Sequence, residues 1–597
     1  MELKARRRLE AAALAAVLLI AAVLRLWRLE DNGFGTEYYA AGVRSMLQGG
    51  WLFFYNAFDP AGFVSLDKPP LAFWIQTLFA AVLGFSGWTI HLPQALAGVA
   101  SAAILYRLVR RPFGLAAGLI AALLLAVTPI AVAIDRSNNT DSWLVLLLLL
   151  AAGAAQRGRG LSFVLAMALL GLAFNVKMLA ALVCGPALVA VYLTVAPFDW
   201  RRHLFWLSSG GAALVVVSLS WVTAFDLTPK DHRPYAGSSI GNSMFELVVM
   251  HNGWERFVRP QPTIPVPAPT QTPRYEAYDA APVGPFRLAQ PMLAGQFAWA
   301  LPLAVLGAVL AWRRRRAAVV LWGTWALTYG IVYSAAGGIF HIYYLATLAP
   351  PLAALGAMGC IELWRHGSRH LALGLAATAL WQGYIVELSL GWTSPWIGFP
   401  AAALLVGAAV LWRDKRPPAF VGGIALLVLP VAWAMSAIFS PGNLTLPSAS
   451  LPRWLGLDDS RGPLLSRSYK PLTGDPKLLA FLQAHRGKAR FVVAAPNALL
   501  AAPVIVRTGE PAMAFGGFLG SDPIMNVEDF AEQVANGDVR FVILGTARRS
   551  SDFQTWVRAH GVAVDPALWR SLPPEPRRAI TLYDLMPPPR YTNRQNS

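Results

Sequence analysis

Apolar residues run in long blocks along this chain, broken by short polar connectors. A membrane-spanning helix needs roughly 20 mostly apolar residues. Runs of that kind cover about 10–27, 90–107, 113–133, 142–155, 161–177, 179–197, 204–224, 291–312, 317–336, 342–362, 370–388, 395–412 and 418–438. A further run, 71–86, decides the parity of the topology. After about residue 440 the pattern changes. "DPKLLAFLQAHRG", "VEDFAEQVANGD" and "SDFQTWVRAHG" have helical spacing, and the apolar strands "ARFVVAAP" and "VRFVILG" alternate with them. That alternation predicts a small α/β domain with a parallel sheet.

The connectors orient the spans. Arginine-rich segments are "KARRR" at the N-terminus, "RLVRRPFG" (107–114), "QRGRG" (156–160), "DWRRHL" (199–204), "RRRR" (313–316), "WRHGSRH" (364–370) and "WRDKRPP" (412–418). Basic residues stay on the cytoplasmic side. If 71–86 does not cross, every one of these segments falls inside; if it crosses, those from "RLVRR" onward invert relative to the N-terminus. The run 71–86 is therefore expected to be an interfacial or re-entrant helix, cut from the preceding loop by Pro69 and Pro70. That gives 13 crossings, with the N-terminus inside and residues 441–597 outside. Arg25 and Arg28, at the outer end of the first span, either snorkel to head groups or serve the site. The first span is read as retained, because no small-residue cleavage site ends it.

Composition agrees. The 597 residues are 56% hydrophobic and 14% charged, against about 25% charged in soluble proteins. The net charge of +18 is spent on topology; a nucleic-acid partner is not expected, since no basic groove with interleaved aromatics is present. Cys184 and Cys360 lie in apolar stretches, which argues against a disulfide framework or a zinc site. The expected organisation is a transmembrane domain over 1–440 with outer loops 28–89 and 225–290, followed by the extracytoplasmic domain. The loop segment 259–273 is Pro-rich and is expected to be mobile or extended. The glycines of "FGGFLGSDP" do not match a phosphate-binding fingerprint, so the C-terminal domain reads as a structural or acceptor-docking module.

Charges at membrane depth are costly and usually functional. On the outer side this topology collects Glu37, the Asp67–Lys68 pair of "SLDKPPLAFW", Asp135, Arg136 and Asp141, Lys177, and His341 with Tyr343 and Tyr344. Any one of these could be an interfacial anchor. Together, acids and bases on several helix ends suit an anionic ligand with a lipid tail. A phosphate needs compact cations such as Lys68 and Lys177, and an acceptor hydroxyl attacking an anomeric carbon needs a carboxylate base.

The ordered set "YYAAGVRSM", "VSLDKPPLAFW", "WTIHLPQALAGVASAAILYRLVRRPFG", "RSNNTDSWLVLLL", "RPYAGSSIGNSMFELVVMHNGWERF" and "VVAAPNALLAAPVIVRTGEPAMAFGGFLGSDP" resembles the GT-C superfamily of polyprenyl-phosphate-dependent glycosyltransferases. That group contains protein O-mannosyltransferases and the lipid A aminoarabinose transferase. The bacterial mannosyltransferase-like branch with a YkcA/YkcB-like C-terminal domain is the nearer likeness, and it runs along nearly the whole chain. The resemblance implies a mainly α, GT-C type membrane protein of about 13 spans in the bacterial inner membrane. It implies an inverting transfer from a polyprenyl-phosphate monosaccharide to an extracytoplasmic glycan, lipid or protein. Lys68, Lys177, His341 and Arg136 would face the donor phosphate. Tyr38, Tyr39, Tyr343, Tyr344 and Asn139 would contact substrate. Glu37 is the favoured base, with Asp67 and Asp141 its rivals.

One departure stands out. An Asp-Glu-x-x-Tyr pattern ending at Tyr39 would put its acids where Gly35 and Thr36 stand. Glu37 is two residues late, roughly 200° around a regular helix, and can serve only if the helix begins after it. No cofactor is expected; a divalent metal stays open, with Asp67 as its candidate ligand. A lipid flippase and an inactive sugar-lipid-binding scaffold are the rival readings.

Overall fold

The computed structural model describes residues 2–258, 282–440, 444–451, 455, 472–545, 552–571 and 580–586. The Pro-rich segment 259–273 lies outside them. The chain divides into two compact units, residues 1–35, 87–220 and 252–467 in one, and 36–86, 221–251 and 468–597 in the other.

The first unit is a bundle of apolar helices. Among the described residues of the whole chain, nine helices are long and apolar enough to cross a membrane. Two bent pairs raise that to eleven: Leu115–Ala126 with Pro129–Asp135, and Pro291–Phe297 with Leu301–Ala311, each turned by 62°. In each pair a proline, Pro129 or Pro302, stands in the first turn of the helix after the break, where the missing N–H costs nothing. The other two expected spans are shorter helical segments, Asp141–Ala155 and Leu179–Val195. Helices Leu301–Ala311 and Ala349–His366 meet backbone to backbone. A Cβ on Gly307 would lie 2.1 Å from the Leu355 carbonyl oxygen, and one on Gly359 would lie 2.1 Å from that of Leu303. Small residues of this kind are how membrane helices approach closely.

The second unit is built on a five-stranded sheet: β1 (Val493–Ala495), β2 (Ala512–Ala514), β3 (Phe541–Gly545), β4 (Val562–Ala563) and β5 (Ile580–Asp584). The order is β2-β1-β3-β5-β4. Strands β1, β2 and β3 are parallel, as expected, because helices Ala498–Thr508 and Val527–Ala535 carry the chain back between them. The wholly parallel expectation fails at β5, which inserts antiparallel between β3 and β4. The sheet packs on Phe491, Met513, Phe515, Phe530, Val542 and Val557. The same unit contains helices Glu37–Met46, Gly50–Phe54 and Leu71–Leu83 from the segment 28–89.

Leu71–Leu83 has 13 residues, about 20 Å of helix against a hydrocarbon core of about 30 Å. Reporter fusions at 86 and 109 test its topology. Fusions at 86 should report the outside and those at 109 the cytoplasm. An external signal at 109, beside "RLVRR", would overturn the non-crossing assignment.

Candidate functional site

Each unit carries a cluster of buried charge. In the membrane unit, Asp141 opens the helix Asp141–Ala155 and Lys177 closes the helix Gly160–Lys177. An acid at a helix start and a cation at a helix end both complement the backbone dipole. After Lys177 the chain turns at Met178, with φ +47°, so the lysine sits at a break. Its Nζ lies 2.6 Å from both Asp141 oxygens. The same ammonium lies 4.7 Å from the Tyr343 ring centre and 4.4 Å from that of Tyr344, within cation–π range. His341 stacks on Tyr343 at 5.0 Å. The Tyr344 hydroxyl accepts a 2.7 Å hydrogen bond from Arg256 Nη1, and Arg256 also donates to Asn252 Oδ1 at 3.2 Å. Lysine, histidine and arginine thus surround two phenols.

Arg136 is placed differently from expectation. It is 1% exposed, and its guanidinium donates to the carbonyls of Leu24, Arg25, Trp27, Arg28 and Ala437. Leu24 and Arg25 lie in the last turn of the helix Glu2–Leu26 and Trp27 and Arg28 just beyond it, where carbonyls lack intrahelical partners. Arg136 is tied to backbone there. Arg25 is also structural: its Nε meets Asp135 Oδ2 at 2.7 Å, and Arg28 pairs with Asp31 at the surface. Asn139 accepts from the Thr140 amide at 2.7 Å, while its Nδ2 has no partner among the described residues.

In the second unit, the helix begins at Glu37, with Thr36 as its N-cap. The Glu37 carboxylate meets Arg507 at 2.8 Å. Tyr38 is buried between Phe58, at 5.2 Å, and Phe518, at 4.5 Å. Its hydroxyl accepts the Asp67 amide at 3.0 Å. Tyr39 packs on Phe73 at 4.9 Å. Asp67 and Lys68 are both buried, with Nζ 2.7 Å from Oδ2. Asp67 Oδ1 is buried with no hydrogen-bond partner among the described residues. Pro70 immediately precedes Leu71, so the two prolines end the loop and start a helix directly after the charged pair. Among the described residues no three His, Cys, Asp or Glu side chains gather as a metal cage.

Asp522 completes this cluster. Its Oδ2 accepts the Ser238 amide at 2.7 Å, and the Phe518 amide also reaches it. Burial first, then the Asp67 charge, push the Asp522 carboxyl up to about 6, against these two hydrogen bonds that lower it.

Arg256, Arg507 and Asp522 were not among the expected site residues. Each lies far in sequence from its partner, and no local pattern links the positions. All three nevertheless fall within stretches that carry the resemblance, Arg256 in the one ending "NGWERF" and Arg507 and Asp522 in the one ending "FGGFLGSDP".

Comparisons with known proteins agree with this architecture. A profile described as "Dolichyl-phosphate-mannose-protein mannosyltransferase" matches residues 67–221, and one described as "Putative mannosyltransferase YkcB-like, C-terminal" matches 478–560. The crystal structure of ArnT from Cupriavidus metallidurans bound to undecaprenyl phosphate superposes with a TM-score of 0.55, at 17% identity, over 97% of this chain and 98% of that one. The fold is therefore that of the GT-C glycosyltransferases, in a multi-pass membrane protein. YycA of Bacillus subtilis is 32% identical, covering 92% of this chain and 94% of its own length; YkcB of the same organism is 31% identical, over 93% and 92%. The chain belongs to the mannosyltransferase-type glycosyltransferase family of YycA and YkcB. That membership decides for an enzyme over the flippase and the inactive scaffold.

The raised Asp522 carboxyl gives a pH test with a definite sign. Below the ordinary value of 3.8 the group is neutral folded and unfolded and has no effect. As pH rises through 3.8 to about 6, the unfolded chain ionises more readily than the folded one and stability falls. Asp522→Asn lacks this penalty and keeps an acceptor oxygen. Thermal unfolding of the detergent-solubilised chain should show the variant gaining on the parent from pH 4 to pH 8. A difference that does not change with pH would refute the assignment.

Proposed function

We propose that the protein transfers one sugar from a polyprenyl-phosphate donor to a hydroxyl on the outer face of a bacterial cytoplasmic membrane, with inversion and with Asp67 as the base. The observation that carries the reading is the state of Asp67. One oxygen is held by Lys68 and the other is buried with no partner among the described residues. Its rivals are occupied: Glu37 by Arg507, and Asp141 through both oxygens by Lys177.

The donor class is supported by the mannosyl-phospholipid in the description of the matching family. The undecaprenyl phosphate bound to ArnT points the same way. In the reaction the acceptor oxygen attacks the anomeric carbon, and the bond from that carbon to the phosphate oxygen breaks. The hydroxyl proton passes to Asp67, and polyprenyl phosphate leaves. A donor phosphate competes with Asp67 for the Lys68 ammonium. When it takes that ammonium, the carboxylate loses its counter-ion and becomes the better base. The membrane unit carries a separate group of basic side chains, Lys177, Arg256 and His341, gathered around Tyr343 and Tyr344. Cations at a phosphate offset the charge that grows as it leaves. The C-terminal module faces the periplasmic or external side with the outer loops.

Isosteric amides separate the three carboxylates. Asp67→Asn should lose roughly 10²–10⁴-fold in turnover, the usual contribution of proton transfer, while still binding undecaprenyl phosphate. Glu37→Gln should lose much less. Turnover of Asp67→Asn near the parent rate would remove Asp67 as the base.

Phosphate binding has its own measurement. Lys68→Ala should weaken binding of undecaprenyl phosphate in nanodiscs by about 10–150-fold, from roughly 1.5–3 kcal/mol per charge-assisted contact. Affinity equal to the parent would remove that residue from the phosphate site.

A further inference from the structure

The turn after β2 is built around glycine. Its backbone closes through Gly517 N–H to Ala514 O at 3.0 Å and Asp522 N–H to Gly516 O at 3.0 Å. Gly517 and Gly520 have φ of +71° and +91°, a region that disfavours side chains. A Cβ on Gly517 would lie 1.9 Å from Asp522 Oδ2, so only glycine lets the carboxylate fold back over the turn. "FGGFLGSD" is thus a shaped loop, and two of its side chains leave the module. The Phe518 ring lies 4.5 Å from that of Tyr38. Asp522 Oδ2 takes the Ser238 amide at 2.7 Å, anchoring the turn to the second outer loop. Tyr38 in turn holds the Asp67 amide through its hydroxyl at 3.0 Å.

We propose that the turn Phe515–Asp522 of the C-terminal module is a positioning element for sugar transfer, with Phe518 bracing Tyr38 against the Asp67 backbone and Asp522 locking the brace in place. This rests on the reading of Asp67 as the base. The turn has no atom in the reaction and acts only through Tyr38. A base must be held close to its productive position, since a misplacement of about 1 Å can cost on the order of 100-fold. A single aromatic brace is an economical way to fix it: two large rings stack with a defined offset and lose little side-chain entropy. The module therefore takes part in the reaction as well as in the fold.

Two measurements test this on the full-length chain in nanodiscs. The first needs no substrate: hydrogen exchange at the peptide containing Asp67. Phe518→Ala and Asp522→Ala should each speed exchange of the amide held by Tyr38, whereas Asp522→Asn should leave it as in the parent. Unchanged exchange in both alanine variants overturns the proposal.

The second is kinetic, with the best-used of mannosyl, glucosyl and galactosyl undecaprenyl phosphates as donor. Membranes from cells lacking the gene supply the acceptor. Phe518→Ala should lower kcat by about 10-fold or more with the donor KM little changed, and Phe518→Tyr should restore most of it. In an Asp67→Asn background the Phe518→Ala effect should disappear, since the residue acts only through Asp67. A full effect in that background would reveal a merely structural role and overturn the proposal. The two readings fail separately. Parent-like turnover in Asp67→Asn sinks the base assignment; an inert Asp67→Asn beside a fully active Phe518→Ala sinks only the brace.

Discussion

A charge removed from water has to be met by an opposite charge or by several oriented dipoles. That constraint organises both units. Asp141 and Lys177 answer each other at the ends of two helices. Arg25 answers Asp135. Among the described residues Arg136 has no carboxylate within ion-pair distance, and it instead collects backbone carbonyls where a helix has run out of its own hydrogen bonds. The chemistry follows from what is left over. Asp67, like Glu362 near the end of the helix Ala349–His366, keeps a second oxygen with no partner among the described residues, and Asp67 is the one of the two that stands beside a lysine.

The helical architecture was legible because bilayer thickness imposes a length and a polarity on every span. Each expected span coincides with helix. The bends before Pro129 and Pro302 were not anticipated, although proline supplies the local reason. The α/β module was legible for the same kind of reason: apolar strands alternating with amphipathic helices have few ways to pack. Strand β5 escaped, because "AITLYDL" follows a long connection and nothing local tells on which side of the sheet it will insert.

The site was legible only as a set of residue types. The sequence put Asp67 beside Lys68 and marked Asp141, Lys177 and the tyrosine pair. It could not say which charges neutralise one another, since Asp141 and Lys177 meet across 36 positions and Glu37 and Arg507 across 470. Burial of Arg136 among carbonyls was likewise invisible, because an arginine at a helix end looks the same whether it faces phosphate or backbone. The glycines of the turn after β2 were set aside as a failed phosphate motif. Their positive φ angles and the folded-back Asp522 explain them as shape.

The glycine contact between Leu301–Ala311 and Ala349–His366 bears on biogenesis. The two segments are separated by more than thirty residues and by another long apolar helix, Arg316–Ala335. Lipid tails are as apolar as the helices, so water exclusion contributes little to bringing them together. What remains is contact between bare backbones, which exists only once both segments are fully inserted and correctly rotated. The pair therefore acts as a checkpoint in assembly: a helix inserted out of register meets a carbonyl oxygen where it needs empty space, and its neighbours have no face to close upon.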